Sequence, residues 1–134
     1  MSSLRILSQE AESASSTEVT WDDQQRINTF SKLNSRVRSL FEKLQEVKQE
    51  KEALDDLSVE LELGDEDELV MYKIGESFLH VPHNRALKRV EKDKSSLESQ
   101  ISDLSGRIGE CEMEMQKLKT VLYAKFGNAI NLDE

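Results

Sequence analysis

Cysteine is nearly absent: Cys111 is the one thiol in 134 residues, so no disulfide can close within the chain. No histidine or basic cluster flanks it, which favours a small apolar packing residue in a reducing compartment over a reactive nucleophile. Aromatics make up only 5% of the chain, and proline occurs once, as Pro82. No apolar run reaches the ~20 residues needed to span a bilayer. The N-terminus has no apolar core, and Arg5 stands against Glu10, Glu12 and Glu18, which disfavours a signal or transit peptide. Cytoplasm, with or without nucleus, is the expected compartment. Basic surplus is also missing. The net charge is −9, so phosphate is repelled, and nucleic acid and anionic membrane are poor partners.

Chemistry-bearing groupings are equally scarce. His80 and His83 straddle Pro82 with no third ligand at metal spacing. An EF-hand loop begun at Asp65 would put Glu76 in its last position, but Val70 falls where glycine is required. Gly106-x-x-Gly109 follows no strand and opens no helix, so it is not a nucleotide fingerprint. No Ser/His/Asp grouping has an elbow around it. The chain reads as a non-enzyme with no cofactor and no metal.

What is plentiful is charge, at 34% of residues, with a hydrophobic fraction of 37%. That mixture suits long helices better than a compact globule. Residues 1–18 are Ser/Glu-rich and read as a mostly disordered tail. Thr20 before Trp21, Asp22 and Asp23 reads as an N-cap followed by acids in a first helical turn. A heptad pattern then runs to Leu63. Its a positions are Phe30, Val37, Leu44, Lys51 and Ser58; its d positions are Leu33, Leu40, Val47, Leu54 and Leu61. All but Lys51 and Ser58 are apolar, the signature of a coiled coil. At about 1.5 Å per residue this helix would be roughly 65 Å long, too long to wrap around its own core.

Gly64 and the acidic run Asp65–Glu68 break the pattern. LVMYKI (69–74) and SFLHV (77–81), parted by Gly75-Glu76, read as a β-hairpin over about 69–81. Its first strand is apolar on both faces: Leu69 and Met71 on one, Val70, Tyr72 and Ile74 on the other, with Phe78 and Leu79 opposite. A doubly apolar strand expects cover on both sides, and a lone hairpin is marginal in water. These residues are therefore expected to join hairpins of other chains. Pro82 can open a second helix at its first position, over about 82–126. Here Leu87, Lys94, Ile101, Ile108, Met115 and Leu122 take a positions, and Val90, Leu97, Leu104, Cys111, Leu118 and Lys125 take d positions. Gly106 and Gly109 suggest a soft or bent stretch. Gly127-Asn128 ends the helix and leaves a short C-terminal tail.

The two helical runs are nearly equal in length, so they should fold back antiparallel, with Phe30 near Val121 and Leu122 and Leu61 near Leu87. The expected fold is mainly α: two long helices in an antiparallel coiled coil, joined by a β-hairpin that assembles between subunits. Both chain ends then meet at one tip, where Trp21, Ile27, Phe30, Val121, Leu122, Tyr123, Phe126, Ile130 and Leu132 exceed what a narrow seam can hold. Surplus apolar surface points to binding. The alternative is a small terminal cap that packs on itself.

Three stretches, VTWDDQQRINTFSKLNSR (19–36), YKIGESF (72–78) and LYAKFGNAINLDE (122–134), resemble the β-class subunits of the co-chaperone prefoldin. The resemblance covers residues 19–134. A single hairpin fits the β class, since α-class subunits carry two. It departs at Gly106 and Gly109, which bear on arm stiffness, and at Val81-Pro82, which bears on where the second helix starts. It implies a heterohexamer of two α-class and four β-class subunits, with hairpins joined in a β-barrel and coiled-coil arms hanging from it. The arm tips would hold unfolded chains such as actin and tubulin and pass them, without ATP, to the cytosolic group II chaperonin. On that reading Trp21, Ile27, Phe30, Leu122, Tyr123, Phe126 and Ile130 contact clients. A structural or tethering coiled coil, or a scaffold subunit of another prefoldin-like complex, is the competing reading. A tether, however, has no use for a doubly apolar hairpin.

Overall fold

The computed structural model describes residues 18–132. All but the last residue of the tail read over residues 1–18, and the final residues 133–134, lie outside the described residues. The elements are α1 (Trp21–Leu63), β1 (Leu69–Ile74), β2 (Ser77–Pro82), α2 (His83–Phe126) and a 3₁₀ turn at Gly127–Ala129. Two long helices thus enclose one two-stranded antiparallel hairpin in sequence, the mainly helical class that the heptads and the turn signals imply. The chain divides into two compact units. One, the terminal unit, takes the chain up to Phe41 and from Gly106 onward; the other, the hairpin unit, is Glu42–Ser105.

α1 starts where a reciprocal capping box forms. The Asp23 amide donates to Thr20 Oγ1, and the Thr20 amide donates to Asp23 Oδ2, each at 3.1 Å. Two of the amides left without partners at a helix start are satisfied in this way. Every apolar a and d residue of both helices is buried or half-buried. Cys111 is buried at its d position among them, as a small apolar group would be.

The four seam positions that are not apolar all make polar contacts from one helix to the other. In the hairpin unit, Lys51 and Lys94 flank Asp55 at 3.2 and 3.1 Å, Lys51 also meets Glu98 at 3.8 Å, and buried Ser58 donates to Glu91 at 3.2 Å. Hydrogen bonds from Lys94 and then Lys51 hold the Asp55 carboxyl below its ordinary pKa. Hydrogen bonding to Asp55 in turn raises that of Lys94. In the terminal unit the fourth exception, Lys125, donates to Asp23. Within each unit these pairs run antiparallel, an early α1 residue meeting a late α2 residue.

β1 and β2 pair from Leu69 with Pro82 to Ile74 with Ser77. Gly75 takes φ 64° in the two-residue turn, a left-handed conformation that costs glycine nothing. Pro82 is the last residue of β2, and α2 begins at His83, which corrects the expectation that proline opens the helix. Proline has no amide to give a ladder and is tolerated at a strand end.

α2 runs unbroken through Gly106 and Gly109, and a Cβ built at either meets nothing within 4 Å. Gly106→Ala and Gly109→Ala should therefore each stabilise the chain, by up to about 1 kcal/mol, through helix propensity. Leu104→Ala, at a buried d position, should cost about 2–5 kcal/mol. Urea unfolding of the isolated chain, followed by helical circular dichroism, measures both. A loss of stability on Gly106→Ala would mean that the glycine is needed for local geometry.

Candidate functional site

Two sets of residues were singled out from sequence, and the structure gives them different surroundings. In the hairpin, directly paired residues share a face. Val70, Tyr72, Ile74, Leu79 and Val81 therefore point one way, and Leu69, Met71, Lys73, Phe78 and His80 the other. The first face lies on the helices: Tyr72 and Val81 are buried with Leu61, Ala86 and Val90, and Val70, Ile74, Leu54, Leu57 and Leu87 pack against them. Leu61 and Leu87 meet here, as the antiparallel pairing requires. On the second face Leu69 (64% exposed), Met71 (60%) and Phe78 (63%) stand in the open; on the first, Leu79 near the turn is half-exposed. The strand is doubly apolar for two distinct reasons, since one face is covered by its own chain and the other is bare. Both outer strand edges also lack a strand partner among the described residues.

Polar contacts fasten the covered face. The Tyr72 hydroxyl donates to Asp93 Oδ2 at 2.9 Å, and Arg89 lies 3.3 Å from the same carboxylate. Burial first, and the bond to Asp93 second, push the Tyr72 phenol up to about 12. His83, first residue of α2, is buried, and its ring Nε2 donates to the Leu61 carbonyl in the last turn of α1. The Gly64 amide donates to that carbonyl too, at 3.2 Å. The two histidines that straddle Pro82 have different surroundings. His80 is exposed, but His83 is a helix-end cap whose partner could not be read from local spacing.

The residues proposed for the tip are mostly interior. Ile27, Phe30, Leu122, Phe126, Ile130 and Leu132 form one buried cluster, with Val19, Met115, Leu118, Tyr123 and Ala129 packed against it. The expectation that Ile27, Phe30, Leu122, Phe126 and Ile130 present apolar surface is therefore corrected: they form the self-packed cap. The cause is the segment read as a C-terminal tail. Gly127 turns left-handed at φ 57°, the 3₁₀ turn follows, and the chain sends Ile130 and Leu132 back onto the helices. The two-residue spacing of Ile130 and Leu132 was the available signal. Trp21 remains 74% exposed and Val121 46%, while Tyr123 is half-buried. A Lys119 ammonium sits 5.6 Å from the Tyr123 ring centre.

Asp23 ties this cap shut. It is almost fully buried, accepts from Arg26 at 3.1 Å and from Lys125, and belongs to the capping box. Burial works to raise its pKa, but the Lys125 and Thr20 hydrogen bonds outweigh that and bring it from 3.8 to about 2. Among the described residues no group of three or more His, Cys, Asp or Glu is placed to hold a metal. No described helix is long and apolar enough to cross a membrane.

Heptad helices joined by a bare-faced hairpin define a helical-hairpin protein. The prefoldin subunit family model matches residues 24–129. Prefoldin subunit 4 of Saccharomyces cerevisiae is 43% identical over 117 residues, covering 87% of this chain and 91% of that protein. Prefoldin subunit 4 of Homo sapiens is 34% identical over 121 residues, covering 90% of each. A crystal structure of the prefoldin beta subunit from Thermococcus strain KS-1 shares the fold, with a TM-score of 0.74 at 13% identity, covering 83% of this chain and 97% of that one. The chain belongs to the prefoldin subunit family. Its part is that of a prefoldin co-chaperone subunit; prefoldin subunits are chaperones rather than enzymes and form hetero-oligomeric complexes.

The Asp23 network yields a pH prediction. A depressed folded-state pKa contributes stability that is fully present above 3.8 and is lost as pH falls through about 2. Asp23→Asn keeps a capping oxygen but loses the charge. It should be less stable than the native chain at neutral pH, and the difference should shrink between pH 4 and 2. A difference that stays constant over that range would show that Lys125 does not stabilise the ionised form.

Proposed function

We propose that this chain is a β-class subunit of a prefoldin heterohexamer. It joins two α-class and further β-class subunits through its hairpin and, without ATP, helps hold unfolded proteins of the actin and tubulin kind for the cytosolic group II chaperonin. The compartment this implies is the cytoplasm, with or without the nucleus. The observation that carries the assembly half is the bare outer face of the hairpin. Leu69, Met71 and Phe78 form an exposed apolar surface on a sheet with two edges open among the described residues, an arrangement that favours strand addition and burial by neighbours. Identity to relatives named prefoldin subunit 4 over nearly the whole chain supports the same reading.

For client contact, the buried cap residues are support, and Trp21 with Val121 and the half-buried Tyr123 are the groups available. Non-native chains expose irregular apolar surface. A few exposed apolar groups on each subunit suffice when several subunits act together, because each weak contact is multiplied by the others.

Met71→Asp with Phe78→Asp should leave helical content intact and abolish entry into a stoichiometric complex with partner subunits, measured by native mass spectrometry. These positions are cleaner probes than Val70 or Tyr72, where aspartate would also unseat the hairpin from its own helices. Trp21→Ser with Val121→Ser should leave the complex intact and weaken suppression of aggregation of denatured actin. Full protection by the second variant would move client binding away from this end of the coiled coil.

A further inference from the structure

We infer that Tyr72 is a positioning residue for assembly: its hydroxyl, bonded to Asp93 of α2, holds the hairpin in place in the unassembled subunit, so that the outer face is already presented when another prefoldin subunit arrives. The inference rests on the reading of the hairpin as the joint.

A two-stranded hairpin is marginal by itself, and the outer side of this one contributes nothing until a neighbour covers it. Its order before assembly depends on the inner face. Tyr72 is the most buried strand residue there, at 4% exposure. Its ring alone would fill that site, and phenylalanine would do so equally well. A hydroxyl at the end of a buried ring is tolerated only with a partner. Here the acceptor is a carboxylate oxygen of Asp93, and hydrogen bonds to charged groups are stronger than neutral ones. The acceptor is itself pre-oriented. Arg89 lies one helical turn before Asp93 and holds the carboxylate from the same helix. Tyr72 therefore docks onto a group already fixed on α2, twenty-one residues away in sequence. A surface ordered before binding avoids the loss of freedom that would otherwise oppose association. The role is separate from that of Leu69, Met71 and Phe78, which would supply the contact itself.

The test compares Tyr72→Phe, Asp93→Ala and Asp93→Asn in the full chain, using amide hydrogen exchange of the free subunit and its affinity for partner subunits. Loss of one charge-assisted hydrogen bond should speed exchange of the hairpin amides roughly tenfold in Tyr72→Phe and Asp93→Ala. Exchange along the helical seam should stay unchanged, and assembly should weaken by a similar factor. Asp93→Asn retains an acceptor oxygen and should recover most of both. Unchanged hairpin exchange in Tyr72→Phe, or faster exchange with native affinity, would overturn the inference. The Met71→Asp, Phe78→Asp chain separates the two levels. If it still assembles, the hairpin is not the joint and the functional reading fails. If it does not assemble while Tyr72→Phe behaves as native, only the role of Tyr72 falls.

Discussion

Pairing of α1 with α2 along a narrow apolar seam is the contact on which every other feature depends. Two helices in contact cover only the a and d stripe of each. Wherever the stripe widens, an extra layer has to come from somewhere else in the chain. In the terminal unit Ile27 and Phe126 extend the stripe, and the returning C-terminal segment covers them with Ile130 and Leu132. In the hairpin unit Ala86 and Leu57 extend it, and the inner face of the hairpin does the covering. An amphipathic face broader than a coiled-coil stripe is the normal state of a helix packed against more than one neighbour.

The seam is also the place where polarity has been admitted, and the admissions are not random. Lys51, Ser58, Lys94 and Lys125 are the seam positions that lack an apolar side chain, and each reaches an acidic partner on the opposite helix or a network that includes one. Partly buried ion pairs add little net stability, because desolvation offsets most of the attraction. Their effect on alternatives is larger. A slip of the antiparallel register would leave these lysines facing leucine or valine, with charge buried and unpaired. Polar groups at a positions are the best-attested means by which coiled coils fix register. The same logic explains why an apolar replacement at Lys51 or Lys94 could raise stability while loosening the choice of pairing.

Much of this was legible before any coordinates. Heptad spacing, the break at Gly64, the glycine turn and the N-cap at Thr20 are local signals, and local geometry answers to them. The hairpin's double apolarity was legible too, as was the excess of large apolar residues near both chain ends. What sequence could not assign was which of those residues would be covered. That depends on contacts between segments far apart in the chain: Lys125 with Asp23, Asp93 with Tyr72, Leu61 with His83. None has a spacing rule. The capping role of His83 was not legible because nothing nearby announces a carbonyl 22 residues earlier. Residues 130–132 looked like a tail because a short segment after a helix end usually has nothing to pack on. The lysines inside the heptads were the one visible hint, since a charge in a seam asks for a partner.

The two apolar surpluses in the sequence thus have opposite fates, and the difference follows from chain economy of contact. At the cap, the helices and the segment after Gly127 supply enough side chains to close around Phe30 and Leu122, and an ionised Asp23 secures the closure. At the hairpin, each strand has two faces while the chain has helices on one side only. Leu69, Met71 and Phe78 are left bare, with no residue of the described chain in position to cover them. A surface that the chain cannot cover, carried on a hairpin that its inner face holds in place, is stable as a monomer feature only at a cost in solubility. On the proposed reading of the hairpin as the joint, burial against other subunits removes that cost. A need for partners would then arise from the geometry of a two-faced strand on a two-helix support, rather than from any single binding residue.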